Sequence, residues 1–267
     1  NGSSSASSWP ETGSIVPGGN NSRMIYLRSF LFEFLFYTLT VLIALASCIG
    51  GIFHQPVPVA CGRVWDRSTR FLLRLLCGIS IEIRGHHNLP GGACVVACKH
   101  QSTLETVMFF KLLENPVYTM KAELARLPLM GYSIRRSGSI PIERAAGAAA
   151  LRKLIKAAQE AFEKDGQVLI FPEGTRTQPR TRGKFNSGVA AIYSRCDVPV
   201  VPVALNTGSF WARRTLRKNP GKVIIEFLPP IEPGLERKAF QSLLEETIED
   251  ATEKLELESP GPKPAGD

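Results

Sequence analysis

From Ile79 onward the chain alternates short runs rich in β-branched residues with longer helical stretches, and few architectures accept that alternation. Strand candidates are 79–84, 93–98, 117–121, 139–142, 167–171, 198–205 and 222–228. Helix candidates are 102–113, 127–135, 145–164, 187–195 and 235–257. Strands interleaved with helices predict an α/β domain built on a largely parallel central sheet flanked by helices. In such sheets ligands gather where strands end, so the chemistry is sought in the loops that follow them.

The chain before Ile79 is of another kind. Residues 1–22 are rich in Ser, Gly, Asn and Pro and read as a disordered tail, because they offer little apolar surface to offset ordering. Residues 23–76 read as a membrane-anchoring and amphipathic helical segment. After Arg28 and Glu33 comes an uncharged run from Phe34 to Phe53, and about 20 apolar residues suffice to span a bilayer core. The run is long for a signal peptide and lies well inside the chain. It either crosses or forms a hairpin-like anchor, with Pro56 and Pro58 turning the chain back. Arg63, Arg67, Arg70 and Arg74 follow it, which places the next domain in the cytoplasm if the run crosses. From Val64 to Leu76 arginines alternate with Phe and Leu. That pattern suits an anionic membrane surface and equally a helix packed on a core with its arginines in water. The catalytic domain is expected over 77–258, and 259–267, with two prolines in its last six residues, as a loose tail.

The formal net charge is +8, which favours anionic partners such as phospholipid head groups, phosphorylated substrates or an acidic carrier protein. Nucleic acid fits poorly, because the arginines cluster beside the apolar run and no recognition motif is present. The six cysteines form no C-x-x-C pair and the four histidines give no metal-ligand spacing. Reduced thiols in a cytosol-facing domain are expected.

Four strand ends carry the candidate chemistry. The first is Lys99-His100-Gln101-Ser102-Thr103-Leu104-Glu105, after the apolar run 93–98. Imidazole takes a proton near neutral pH, and a nearby carboxylate can fix its tautomer and support the imidazolium. His100 and Glu105 meet only if the histidine lies in the loop and the glutamate in the first helical turn. Ser102 and Glu105 also match a capping box, which places the helix start at Ser102 and by itself would explain the glutamate. The second strand end is Phe171-Pro172-Glu173-Gly174-Thr175-Arg176. Here Pro172 stops the strand, Gly174 allows close backbone approach, Glu173 can accept from a substrate hydroxyl, and Arg176 offers a planar fork to a phosphate. The third ends in Glu143-Arg144, and the fourth is the proline-containing apolar strand 198–205. Phe210-Trp211-Ala212-Arg213-Arg214 mixes aromatic and basic residues as interface-seeking loops do, and fits a surface loop with one packed Trp equally well.

In this order and spacing the four blocks resemble the 1-acyl-sn-glycerol-3-phosphate acyltransferase family, bacterial type, across roughly residues 77–230. Phe171 to Arg176 matches that family residue for residue. Its His-x4-Asp block stands here as His100 to Glu105, with a carboxylate one methylene longer. Asn186 stands where the family often has Lys, with Lys184 two residues before it. The resemblance implies acyl transfer from acyl-CoA or acyl-carrier protein to the sn-2 hydroxyl of lysophosphatidate, giving phosphatidate. It implies catalytic roles for His100 and Glu105, and substrate binding by Glu143, Arg144, Glu173, Gly174, Thr175 and Arg176. It implies no metal or bound cofactor, and a place at the cytoplasmic face of a bacterial inner membrane, with the lipid bilayer as partner. The alternatives are another lysolipid acceptor, such as a lyso-ornithine lipid or a lysophospholipid, or an inactive membrane-anchored lipid-binding protein. An esterase would want an activated serine, and no G-x-S-x-G occurs.

Overall fold

A computed structural model describes residues 19–53, 57–126, 131–132, 137–143 and 147–261, with side chains from Ser22 onward. The expected helix over 127–135 falls largely outside these residues. So does the expected tail, except that residues 19–22 already belong to the first helix.

All seven expected strands form one sheet. In chain order they are β1 (Ile79–Arg84), β2 (Cys94–Cys98), β3 (Pro116–Lys121), β4 (Ile140–Ile142), β5 (Gln167–Ile170), β6 (Val200–Leu205) and β7 (Gly221–Phe227). Their order across the sheet is β1-β7-β6-β2-β5-β3-β4. Every pairing is parallel except β6 with β7. The strands β2, β3, β4, β5 and β6 therefore end at the same sheet edge.

Alternation along β2 divides the core. Cys94, Val96 and Cys98 face one side, where helix α3 (Leu104–Leu112) packs with the N-terminal helices. Val95 and Ala97 face the other, against α4 (Gly147–Phe162), α5 (Gly188–Tyr193) and α6 (Arg237–Glu258). Both faces of β2 are fully buried, which explains its unbroken apolar sequence.

The apolar run lies within α1 (Gly19–Phe53), and α2 (Val57–Leu72) follows it. The Trp65 indole on α2 donates to Thr40 Oγ1 at 3.0 Å, and Gly51 lies against Pro58, so α2 runs back beside α1. On α2, Pro58, Gly62, Asp66, Thr69 and Leu72 are buried at helical spacing. Gly62 permits a close crossing: a Cβ there would clash with the Phe110 ring of α3. Arg63, Arg67 and Arg74 stay exposed beside Val64, Phe71 and Leu75.

The base of α1 packs into the core of the α/β domain. Phe32 and Phe36 are buried and meet Trp211 edge-on at centroid distances of 5.1 and 5.2 Å. Phe210 and Trp211 are only 2% and 5% exposed, which favours the packed-Trp reading of this loop over the interface-seeking one: the aromatic pair holds α1 to the domain. Lys218 completes this contact. Its ammonium, at 0% side-chain exposure, pairs with Glu33, bonds the carbonyls of Thr215 and Leu216, and lies 5.2 Å from the Trp211 ring.

Candidate active site

The common sheet edge gathers His100 after β2, Phe171 to Arg176 after β5, Thr207 after β6 and Lys121 at the end of β3. His100, Lys121 and the stretch Phe171 to Arg176, Glu173 excepted, line a cavity of about 1090 Å³, while Thr207 is buried behind it. Its polar wall includes His100, Thr103, Thr175, Arg176 and Arg213, and α1 and α2 close its apolar side with Ile43, Ala44, Cys61 and Trp65.

His100 and Glu105 do meet. Helix α3 starts at Leu104 with Thr103 at its N-cap, one residue later than the Ser102 cap that the capping box predicts. His100 thus stays in the loop while Glu105 sits in the first turn. His100 Nδ1 lies 2.9 Å from Glu105 Oε1. The same oxygen accepts the backbone N–H groups of Gln101 at 2.7 Å and Ser102 at 2.6 Å. Glu105 Oε2 accepts from Thr207 Oγ1 at 2.9 Å. Glu105 therefore closes the helix start and holds the imidazole at once. Its side chain is 0% exposed, while that of His100 is 16% exposed. A hydrogen bond from Nδ1–H to this carboxylate leaves Nε2 as the proton acceptor available to a ligand. The ring also stacks on Phe171, 4.0 Å between centroids and 19° from parallel, which limits its tilt.

Glu173, expected at the substrate, turns away from the cavity. Its carboxylate is 1% exposed, accepts the His100 N–H at 3.2 Å and lies 3.5 Å from Lys99 Nζ. Lys99 is itself fully buried and bonds both oxygens of Glu249 on α6, at 2.7 and 2.8 Å. Burial pushes the Glu173 carboxyl up to about 7, against the opposing pull of the Lys99 ammonium. Two further contacts brace the loop: Glu256 accepts from the Gln101 side-chain amide at 2.9 Å, and Thr177 donates to the His100 carbonyl at 2.8 Å.

Gly174, with φ of 69°, makes the turn that no side chain adopts easily, and its N–H closes onto the Phe171 carbonyl at 2.9 Å. Arg176 then reaches the cavity and donates to Thr103 Oγ1 at 2.8 Å. Asn186, in the position where lysine is frequent, holds this turn through the carbonyls of Pro172 and Glu173 at 3.1 and 2.9 Å. Lys184 is exposed and does not line the cavity. Glu143 is exposed, 4.0 Å from Arg126, and outside the cavity lining. Arg144 lies outside the described residues.

Sequence reading missed Thr207, Arg213 and the Lys99–Glu249 pair. Thr207 had a signal, since it stands just past the end of β6 among strands that point to one edge. Lys99 had one too, as a cation that directly continues a buried strand.

A cavity-facing histidine backed by a buried carboxylate thus stands at the carboxyl edge of a mostly parallel sheet, an arrangement in which an imidazole can take a proton from a bound hydroxyl. Residues 80–206 match the Acyltransferase family model. It is 36% identical over 165 residues to the 1-acyl-sn-glycerol-3-phosphate acyltransferase of Pseudomonas aeruginosa, covering 62% of this chain and 64% of that protein. The Saccharomyces cerevisiae enzyme of the same name is 26% identical over 216 residues, with 76% and 71% covered. The human 1-acyl-sn-glycerol-3-phosphate acyltransferase alpha is 30% identical over 162 residues, with 60% and 57% covered. The matched stretches thus span 57% to 71% of these relatives' lengths, and under two thirds of the Pseudomonas aeruginosa protein. The crystal structure of the 1-acyl-sn-glycerophosphate (LPA) acyltransferase PlsC from Thermotoga maritima shares the fold. Its TM-score is 0.70 at 20% identity, covering 87% of this chain and 98% of that one.

Proposed function

We propose that this protein transfers an acyl group from acyl-CoA or acyl-carrier protein to the sn-2 hydroxyl of 1-acyl-glycerol-3-phosphate, giving phosphatidate. The observation that carries the reading is the His100–Glu105 pair, 2.9 Å apart, open to a cavity that Arg176 also faces. The hydroxyl gives its proton to His100 Nε2 as its oxygen attacks the thioester carbonyl. Glu105 stabilises the imidazolium so formed. The tetrahedral intermediate collapses, the C–S bond breaks, and the thiolate leaves with the proton that His100 returns. No acyl-enzyme and no bound cofactor enter this route. Arg176 holds the acceptor phosphate, and the apolar side of the cavity receives acyl chains. Names of relatives that act on this acceptor support the choice of substrate.

The same proposal places the protein at a bacterial cytoplasmic membrane, with the catalytic domain on the cytoplasmic face. Residues 22–53 of α1 have mean hydropathy 2.1 in their most apolar window, of which only 17% is buried. Phe34, Leu42, Ile49 and Phe53 are exposed on it. The return of α2 favours a hairpin that enters the bilayer and comes back, with Arg63, Arg67 and Arg74 suited to head-group level. A lipid acceptor then reaches the cavity without crossing water.

The test is acylation by purified protein in mixed micelles. Lysophosphatidate, lysophosphatidylcholine and a lyso-ornithine lipid are offered in turn with labelled acyl-CoA and acyl-carrier protein. Phosphatidate as the dominant product supports the proposal; acylation of only the other acceptors overturns its substrate, and no acylation overturns the activity.

A further inference from the structure

Arg213 lies on the loop after β6, outside the four strand-end blocks, yet it lines the same cavity as His100 and Arg176. Its guanidinium donates to Thr175 Oγ1 at 3.3 Å and to the Arg176 carbonyl at 3.5 Å. Arg176 in turn donates to Thr103 Oγ1 at 2.8 Å. Among the described residues neither guanidinium has a carboxylate partner. Arg70, Arg84 and Arg182 show the contrast, paired with Asp66, with Glu82 and Glu258, and with Asp250 and Glu253. Two adjacent cations left without a counter-charge at a half-buried wall favour an anionic ligand.

The loop that presents Arg213 is clamped. Phe210 and Trp211 are buried on one side of it. On the other, Lys218 bonds the carbonyls of Thr215 and Leu216 at 3.2 and 2.9 Å. Between them Arg214 adopts φ of 60°, a left-handed conformation disfavoured for a side chain of its kind. The turn is thus held in a conformation that keeps Arg213 on the cavity side. A merely solvent-exposed arginine needs no such support.

We infer that Arg213 and Arg176 together form a two-guanidinium seat for a phosphomonoester dianion, and that its occupant is the phosphate of the lysolipid acceptor. This rests on the acyl-transfer reading above and deepens it. Thr175 and Thr103, each already bonded to one of the arginines, lie at the rim of the seat. The acceptor is chosen over the donor's phosphates because the seat shares its wall with His100, which must meet the acceptor hydroxyl.

The test compares wild type with Arg213→Gln and Arg213→Lys in mixed micelles, with thermal unfolding run alongside. For Arg213→Gln the KM for lysophosphatidate rises roughly 10- to 100-fold, the range of one lost charge-assisted contact, while kcat and the donor KM hold. Competitive inhibition by sn-glycerol 3-phosphate weakens by a similar factor, and Arg213→Lys recovers part of both. A rise confined to the donor KM assigns the seat to the donor and overturns the inference. A fall in kcat alone, or equal losses in Gln and Lys variants at unchanged acceptor KM, makes Arg213 a structural brace and also overturns it. Calorimetric binding of lysophosphatidate separates this inference from the activity beneath it. Binding that depends on Arg213 in a protein that makes no phosphatidate keeps the seat and removes the reaction. If Arg213→Gln fails to fold, the same split is read from Arg213→Lys.

Discussion

Glu105→Gln removes one charge from the site and little else. The Glu105 carboxylate accepts four hydrogen bonds: three at Oε1, from His100, Gln101 and Ser102, and one at Oε2, from Thr207. A glutamine keeps the Oε1 acceptor, and its amide nitrogen falls opposite the Thr207 hydroxyl, which can rotate to accept. The helix start is therefore kept, while the imidazolium loses its partner. At a charge separation of about 4 Å and an effective dielectric of about 20, that partner contributes about 4 kcal/mol. If this appears wholly in the transition state, kcat falls about 10³-fold. The KM for lysophosphatidate changes little, since Glu105 is buried and touches no substrate. Steady-state kinetics with labelled acyl-CoA, together with a melting curve, check both parts. A loss below about tenfold in well-folded protein would show that the charge of Glu105 does not support the base.

Four further outcomes follow from the same geometry. Thr207→Val removes one of the four donors to Glu105 and should lower kcat by roughly tenfold, at a stability cost near 1 kcal/mol, read by kinetics and urea unfolding. Lys99→Met leaves Glu173 and Glu249 buried without their cation and should cost about 3–5 kcal/mol in chemical unfolding. Glu173 has a folded-state pKa of about 7, above its unfolded value. Its contribution to stability is therefore complete at low pH and is lost as pH rises through about 7, so Glu173→Gln should gain on wild type in melting temperature between about pH 5 and pH 8. Trp211→Ala deletes the ring that holds Phe32 and Phe36 and should cost about 3–5 kcal/mol. Limited proteolysis should then cut first between α1 and the catalytic domain.

What the sequence made legible was local. Seven strands showed as β-branched runs, because each buries its residues within a few positions of one another. The meeting of His100 and Glu105 needed only a loop followed by a helical turn. The parts that stayed hidden depend on partners far along the chain. Thr207 reaches Glu105 across 102 positions and Glu249 reaches Lys99 across 150. The Phe210–Trp211 pair looked amphipathic in isolation, and only its contact with α1 turns it inward. Glu173 resembled a substrate ligand by its motif, but its carboxylate faces Lys99, whose pairing with Glu249 no local pattern announced. The antiparallel β7 was likewise invisible, since strand direction depends on how the connection from β6 returns.

The central claim is that His100 removes the acceptor's proton in this cavity. It is tested most directly by phosphatidate formation from lysophosphatidate and labelled acyl-CoA, with purified wild type and His100→Ala side by side. The account predicts phosphatidate with wild type and a loss of at least about 10³-fold in the variant, at unchanged folding. Phosphatidate formed at near wild-type rate by pure, folded His100→Ala would contradict it.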